Sequence, residues 1–197
     1  DPAFAQYVLD LVRGGAIFNS GTFTITNGVL EENSASSSSD AYGGAVYSSG
    51  TLTSFNSSIS RNTVFGDRTV DGGGLSVWGT YWSTNDTIAL NRGEAVDTGY
   101  AASGGGLSVM FGTAMMINAT ITGNTLTTAT TTGSSGAGVS ADNNSFIINS
   151  VILGNSSQNV VSNVSGGDPA NIDPAKNILT GVLPEILQVQ NSGPPNF

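Results

Sequence analysis

Cysteine and histidine are both absent from this chain, and cationic side chains are scarce: five Lys and Arg stand against fourteen Asp and Glu. Without Cys there is neither a disulfide framework nor a thiolate metal site. Without His, the commonest metal ligand and the usual proton shuttle near neutral pH are missing. The formal charge of −9 over 197 residues repels phosphate backbones and anionic headgroups, so nucleic acid and membrane surfaces are poor partners. No apolar run approaches the roughly 20 residues that cross a bilayer as a helix, so direct membrane insertion is not expected. The sequence opens at Asp1 without Met and closes in a Pro- and Gly-rich phrase, as expected of an excerpt of a longer precursor.

What the chain has instead is a repeat. Gly-Gly or a close variant, then a small residue and an aliphatic, recurs as Gly14-Gly15-Ala16-Ile17, Gly43-Gly44-Ala45-Val46, Gly72-Gly73-Gly74-Leu75, Gly104-Gly105-Gly106-Leu107 and Gly136-Ala137-Gly138-Val139. Counting from each aliphatic as zero, position ten is Asn27, Asn56, Asn85, Asn118 and Asn149, allowing one inserted residue near Met110 and Phe111 in the fourth unit. Position thirteen is Leu30, Ile59, Ile88, Ile121 and Ile152, and position sixteen is Asn33, Asn62, Asn91, Asn124 and Asn155. Short alternating runs such as Phe23-Thr24-Ile25-Thr26 read as strands, and no unit has a helical period.

These features predict an all-β chain, a right-handed parallel β-helix of about five coils over residues 14–165, each coil carrying three short strands and one longer loop. Asn tolerates left-handed corners and its amide both donates and accepts, so both Asn columns are expected to form structural ladders between coils. Apolar spacing at Phe4, Tyr7, Val8, Leu11 and Val12 suggests a short N-terminal capping helix within 1–13, over 3–13, and residues 166–197 are expected to form a C-terminal cap or tail.

The GGAI phrase at 14–17 and the hydrophobic-x-x-Asn phrase, here LEEN, ISRN, IALN, ITGN and ILGN, resemble the paired repeats of chlamydial-type polymorphic outer membrane proteins. That resemblance, over residues 14–155, implies a right-handed β-helix displayed on a cell surface, often in adhesion.

Chemistry is harder to find. Enzymes of the pectate-lyase type need acids clustered on neighbouring rungs, yet position eleven reads Gly28, Ser57, Asp86, Ala119, Ser150 and position fifteen reads Glu32, Arg61, Leu90, Gly123, Gly154. No catalytic residues, metal or cofactor are therefore expected, and Glu32 with Arg61 reads as a cross-rung ion pair. The segments 34–42, 63–71, 92–103 and 125–135 read as polar loops along one edge, carrying Asp40, Asp67, Asp71, Glu94 and Asp97. Sequons begin at Asn56, Asn85, Asn118, Asn143, Asn155 and Asn163, of which only Asn143 and Asn163 are expected to be exposed.

On the second strand, positions seven and nine point outward and turn from Thr to large apolar groups: Trp82, Met115, Ile117, Phe146 and Ile148, with Trp78 extending the patch. Such a patch is expected to be a contact face, covered by residues 177–190 or by another molecule. The expected function is an extracellular or cell-surface structural or adhesion module that presents side loops and a lateral face. The expected partner is a protein, by self-assembly or on a surface, and a glycan is the alternative. A carbohydrate-binding or carbohydrate-active β-helix using Trp78, Trp82 and the loop acids is the second reading.

Overall fold

The computed structural model describes residues 10–97, 100–129, 134–142, 144–158, 160–161, 163–166 and 177. Every regular element among them is a strand, and the strands stack into a parallel β-solenoid of about five coils. Five sheets run along it. Sheet A holds Leu11–Arg13, Asp40–Tyr42, Val70–Asp71, Ala102–Ser103 and Ser134–Ser135. Sheet B holds Ile17–Asn19, Val46–Ser48, Leu75–Val77, Leu107–Val109, Val139–Ala141 and Val164–Gly166. Sheet C holds Thr22–Thr26, Thr51–Phe55, Thr80–Thr84, Thr113–Ile117 and Phe146–Ile148. Sheet D holds Val29–Glu31, Ser58–Ser60, Thr87–Ala89, Thr120–Thr122 and Val151–Leu153. Sheet E holds Ser34–Ser37, Thr63–Gly66, Arg92–Ala95, Thr125–Thr128 and Ser156–Ser157, closed by an antiparallel strand at Val160–Val161.

Each coil thus has five strands where three and a long loop were expected. The segments read as polar loops contain sheets E and A, whose inward residues pack into a core of their own: Ala35, Ala41, Val64, Val70, Ala95, Ala102 and Leu126. These side chains are mostly small and set among polar residues, so their alternation is faint in sequence. Sheets B, C and D enclose the larger core, in which Ile59, Ile88, Ile121 and Ile152 stack fully buried. Burying such a side chain stabilises by about 1.5–3 kcal/mol.

The two lobes of the cross-section meet at a neck, and here the two Asn columns part company. Asn62, Asn91, Asn124 and Asn155 are all 0 % exposed. The Oδ1 of Asn91 accepts from both the backbone N–H and the amide of Asn62, while its own amide donates to Asn124 Oδ1 at 2.9 Å and to the Ile59 carbonyl at 3.0 Å. Asn62, Asn124 and Asn155 repeat the pattern, and Asn163 closes the upper end. The other column, Asn27, Asn56, Asn85, Asn118 and Asn149, is exposed at a left-handed corner with φ from +49° to +57°. Amide bonds still link Asn85 to Asn56 and Asn118 to Asn85. The sequons at Asn56, Asn85 and Asn118 therefore lie exposed, and Asn163 is buried, the reverse of the expectation from sequence; Asn143 lies outside the described residues.

Glycine makes the neck possible. Gly72 adopts φ +69°, and a Cβ on Gly73 would sit 2.1 Å from the Gly105 carbonyl oxygen and 2.7 Å from the Arg92 carbonyl carbon. At Gly73 no side chain fits between the passing backbones, whereas the fifth coil carries Ala137 at the equivalent place, packed in the side-lobe core.

At the lower end, Leu11–Arg13 pair with Asp40–Tyr42 as a strand, and Val12 packs on the side-lobe core. The helix expected over 3–13 therefore does not extend through these residues, because Leu11 and Val12 follow strand alternation rather than a helical face; residues 1–9 lie outside the described residues. In the tail, Asn177 is buried and receives the Ser150 backbone N–H at 2.9 Å, a capping contact on the main lobe.

The unequal burial of the two columns has a measurable consequence. Asn91→Ala strands the two Asn62 donors and removes the Ile59 bond, and is expected to cost about 3 kcal/mol in denaturant unfolding, whereas Asn85→Gly is expected to cost well under about 1 kcal/mol. Equal losses for the two variants would show that burial does not separate the columns.

Candidate functional site

Two places on the outer surface depart from a plain solvated sheet. The first is the outer face of sheet C, where the strand phase read from the sequence holds. Trp82 stands between Thr53 and Met115, and Met115 is followed by Phe146. Phe55, Thr84, Ile117 and Ile148 form the adjacent column. Trp82 keeps 46 % of its surface exposed, Phe55 41 % and Phe146 39 %, and Met115, Ile117 and Ile148 are half-buried. Every outward residue of this sheet is Thr or apolar, so the face carries no charge on a protein of net charge −9. Residues 178–190, expected to cover the patch, lie outside the described residues.

The second place is the inner angle between sheets A and B. Val70, Leu75 and Val77 point into the two cores, so Asp71 and Ser76, which alternate with them, point away from both. Yet Asp71 is 1 % and Ser76 0 % exposed. Side chains that face away from both cores and still see no solvent must lie in a concave angle, and the left-handed Gly14, Gly43, Gly72, Gly104 and Gly136 turns create it. One wall carries the column Arg13, Tyr42, Asp71, Ser103 and the other carries Phe18, Tyr47, Ser76, Ser108.

Aromatic rings bridge the walls and climb the stack. Phe18 stacks on Tyr47 at 5.5 Å between ring centres, Tyr47 lies 5.9 Å from Trp78, and Trp78 meets the edge of Phe111 at 5.7 Å. Tyr42 crosses from the other wall, 6.3 Å from Tyr47 and 5.5 Å from Trp78, and the Arg13 guanidinium lies over the Tyr47 ring. Such pairs each add about 0.5–1.5 kcal/mol beyond area burial. Trp78 thus makes its ring contacts in this angle, whereas the sequence had placed it with the sheet C patch. The turn after position zero carries it around the corner before sheet C begins at Thr80. Phe111, the residue of the fourth-coil insertion, has φ +59° and is 79 % exposed. A bulky side chain in that backbone region costs roughly 1–3 kcal/mol, offset in part by the edge contact with Trp78.

Polar atoms in the angle are left without partners. Asp71 Oδ2, Ser76 Oγ, Ser108 Oγ, the Trp78 indole Nε1 and Arg13 Nε are buried and make no hydrogen bond. Burial, with a further push from Asp40, raises the Asp71 carboxyl to about 7, and a hydrogen bond from Ser103 opposes the shift. Burial and then the charges of Asp40 and Asp71 raise Tyr42 to about 12.

Several of the acids considered from sequence make defined structural contacts. Asp86 is 1 % exposed, its carboxylate accepting from Ser83 Oγ at 2.6 Å, from the Ser57 backbone N–H at 2.8 Å and from Ser54 Oγ. It is one step of a further ladder at position eleven, in which Gly28 N–H donates to Ser57 Oγ and Ala119 N–H to Ser150 Oγ. Arg61 pairs with Glu31, not Glu32, because Glu31 stands on the outward strand while Glu32 lies in a left-handed turn. Asp40 accepts the Thr69 backbone N–H, and Glu94 pairs with Arg92. Among the described residues no three acids converge as a metal site.

The chain matches no protein-family model. Comparison with curated proteins and with solved structures gives no match either.

The raised Asp71 carboxyl links stability to pH. Its proton is held to higher pH in the folded than in the unfolded chain, so its contribution is full below 3.8 and is lost as pH rises through about 7. Asp71→Asn is therefore expected to leave stability unchanged near pH 4 and to raise it by up to roughly 4 kcal/mol at pH 8. Parallel unfolding curves for parent and variant across that range would contradict the assignment.

Proposed function

We propose that the chain is an extracellular or cell-surface structural module, a rigid solenoid whose lateral face makes contact with protein, foremost with further copies of itself. The observation that carries this reading is the outer face of sheet C, an uncharged surface on an acidic protein with Trp82 and Phe146 exposed beside Met115, Ile117 and Ile148. Contiguous apolar surface of this kind marks an interaction site. The parallel register places these side chains at fixed spacing, so ordering costs on association are small.

The repeat phrases support the same reading. Their likeness to polymorphic outer membrane proteins favours a right-handed winding, display at a cell surface and a role in adhesion. A carbohydrate-active reading of the pectate-lyase kind has less support, since among the described residues no column stacks two carboxylates and Asp86 is engaged by serines and a backbone amide.

Sedimentation of the chain over rising concentration is expected to show growth beyond the monomer. The double variant Trp82→Ser, Phe146→Ser, altered only at outward positions, is expected to keep the unfolding transition and to weaken association at least about tenfold, since each large side chain contributes about 1.5–3 kcal/mol when covered. A parent that stays monomeric throughout, or a variant that associates equally well, would refute the contact face.

A further inference from the structure

We propose that Asn56 is the acceptor of a single N-linked glycan, attached at the exposed corner where sheet C turns into sheet D. The inference rests on the extracellular reading above only for the compartment in which the chain meets a transferase, and it does not depend on the sheet C contact face.

The sequon asparagines among the described residues fall into two structural classes. Asn155 and Asn163 are 0 % and 8 % exposed and are bound into the buried ladder, so a glycan on either is incompatible with the fold. Asn56, Asn85 and Asn118 stand exposed in the corner column, each at a left-handed turn. The hydroxyl residue of each of their sequons, Ser58, Thr87 or Thr120, takes an outward position on sheet D.

The amide bonds of that column separate the three. They run in one direction: Asn149 Nδ2 donates to Asn118 Oδ1, Asn118 Nδ2 to Asn85 Oδ1 at 3.0 Å, and Asn85 Nδ2 to Asn56 Oδ1 at 3.1 Å. The series stops there. Among the described residues Asn56 Nδ2 donates to nothing, so both of its hydrogens are free. A substituent at Asn85 or Asn118 replaces one of two hydrogens on a nitrogen already committed to the rung below, and it crowds that rung. Successive rungs lie about 4.8 Å apart, much less than the width of a branched glycan, so occupancy at Asn56 also excludes its neighbour Asn85.

The transfer is a substitution at the anomeric carbon of a lipid diphosphate-linked oligosaccharide. The Asn56 nitrogen forms the new N–C bond as the anomeric C–O bond breaks, the lipid diphosphate leaves with the electron pair, and the amide loses one proton to the transferase. Asn56 directly follows Phe55, at the end of the second strand of sheet C and beside its Thr-lined lower rungs. A glycan there keeps those rungs hydrated and leaves Met115 and Phe146, two and three rungs higher, clear for the contact face.

The test sends the full chain carrying Asn143→Gln, which removes the sequon outside the described residues, through the secretory pathway of yeast behind a signal peptide. The compartment is thereby supplied and only the site is in question. Occupancy of each remaining sequon is read by mass spectrometry of peptides before and after peptide N-glycosidase. Asn56 is expected to carry the glycan in most of the folded, secreted chain, with Asn85, Asn118, Asn155 and Asn163 bare. Ser58→Ala, an outward change that keeps Asn56 and its corner, is expected to abolish the glycan and to leave the unfolding transition in place. Bare Asn56 in the secreted or the cell-retained chain, occupancy of Asn85 or Asn118 equal to or above that of Asn56, or a glycan that survives Ser58→Ala would overturn the proposal. None of these outcomes bears on sheet C association, which sedimentation reads separately.

Discussion

A chain that winds around two separate apolar cores in every coil must carry polar backbone between them, and the buried asparagine ladder is what makes that passage stable. At the neck neither water nor a regular sheet is available to the backbone N–H of position sixteen, and the carbonyl of position thirteen accepts from the same ladder of amides. Each amide of Asn62, Asn91, Asn124 and Asn155 supplies donors and acceptors to the coil on either side, so that its own polar atoms and the neighbouring N–H and C=O groups are paired together. Because every rung depends on the next, the ends need closure, which Asn163 provides at the top of this column.

The functional surfaces are consequences of the same neck. The chain passes through it on Gly-Gly in the first four units and on Gly136-Ala137 in the fifth, and the left-handed first glycine of each folds sheet A back towards sheet B. The angle between those sheets then removes solvent from side chains that alternate outward. Asp71 becomes hard to ionise, Ser76 and Ser108 lose their water, and Tyr42 meets Trp78 across the gap. Sheet C lies on the main lobe, where among the described residues the equally outward Phe55, Trp82 and Phe146 remain partly open.

Much of this architecture could be read from residues alone. The recurrence of Asn and aliphatic residues at set offsets established a stacked repeat, and the two-residue period of strands placed Trp82, Met115 and Phe146 outward, because side-chain alternation is a local property of an extended backbone. The aromatic series between sheets A and B also has a trace in sequence: Tyr42 and Tyr47 flank the second Gly-Gly-Ala-Val phrase, and Phe18 directly follows Gly14-Gly15-Ala16-Ile17.

Other features were decided only when the coils closed. The two Asn columns look alike in sequence, yet one sits in the neck and the other at an open corner, and only the path of the chain between the cores distinguishes them. The side lobe is built from residues as small as Ala35, Ala41 and Ala102, too weakly apolar to announce strands until a neighbouring coil covers them. Trp78 and Trp82 are four residues apart, but a corner lies between them and sends one into the angle between sheets A and B and the other onto the outer face of sheet C. Local pattern determines which way a side chain points from its own strand; whether that direction leads to water, to a core or into a concave angle is set by where the next sheet lies.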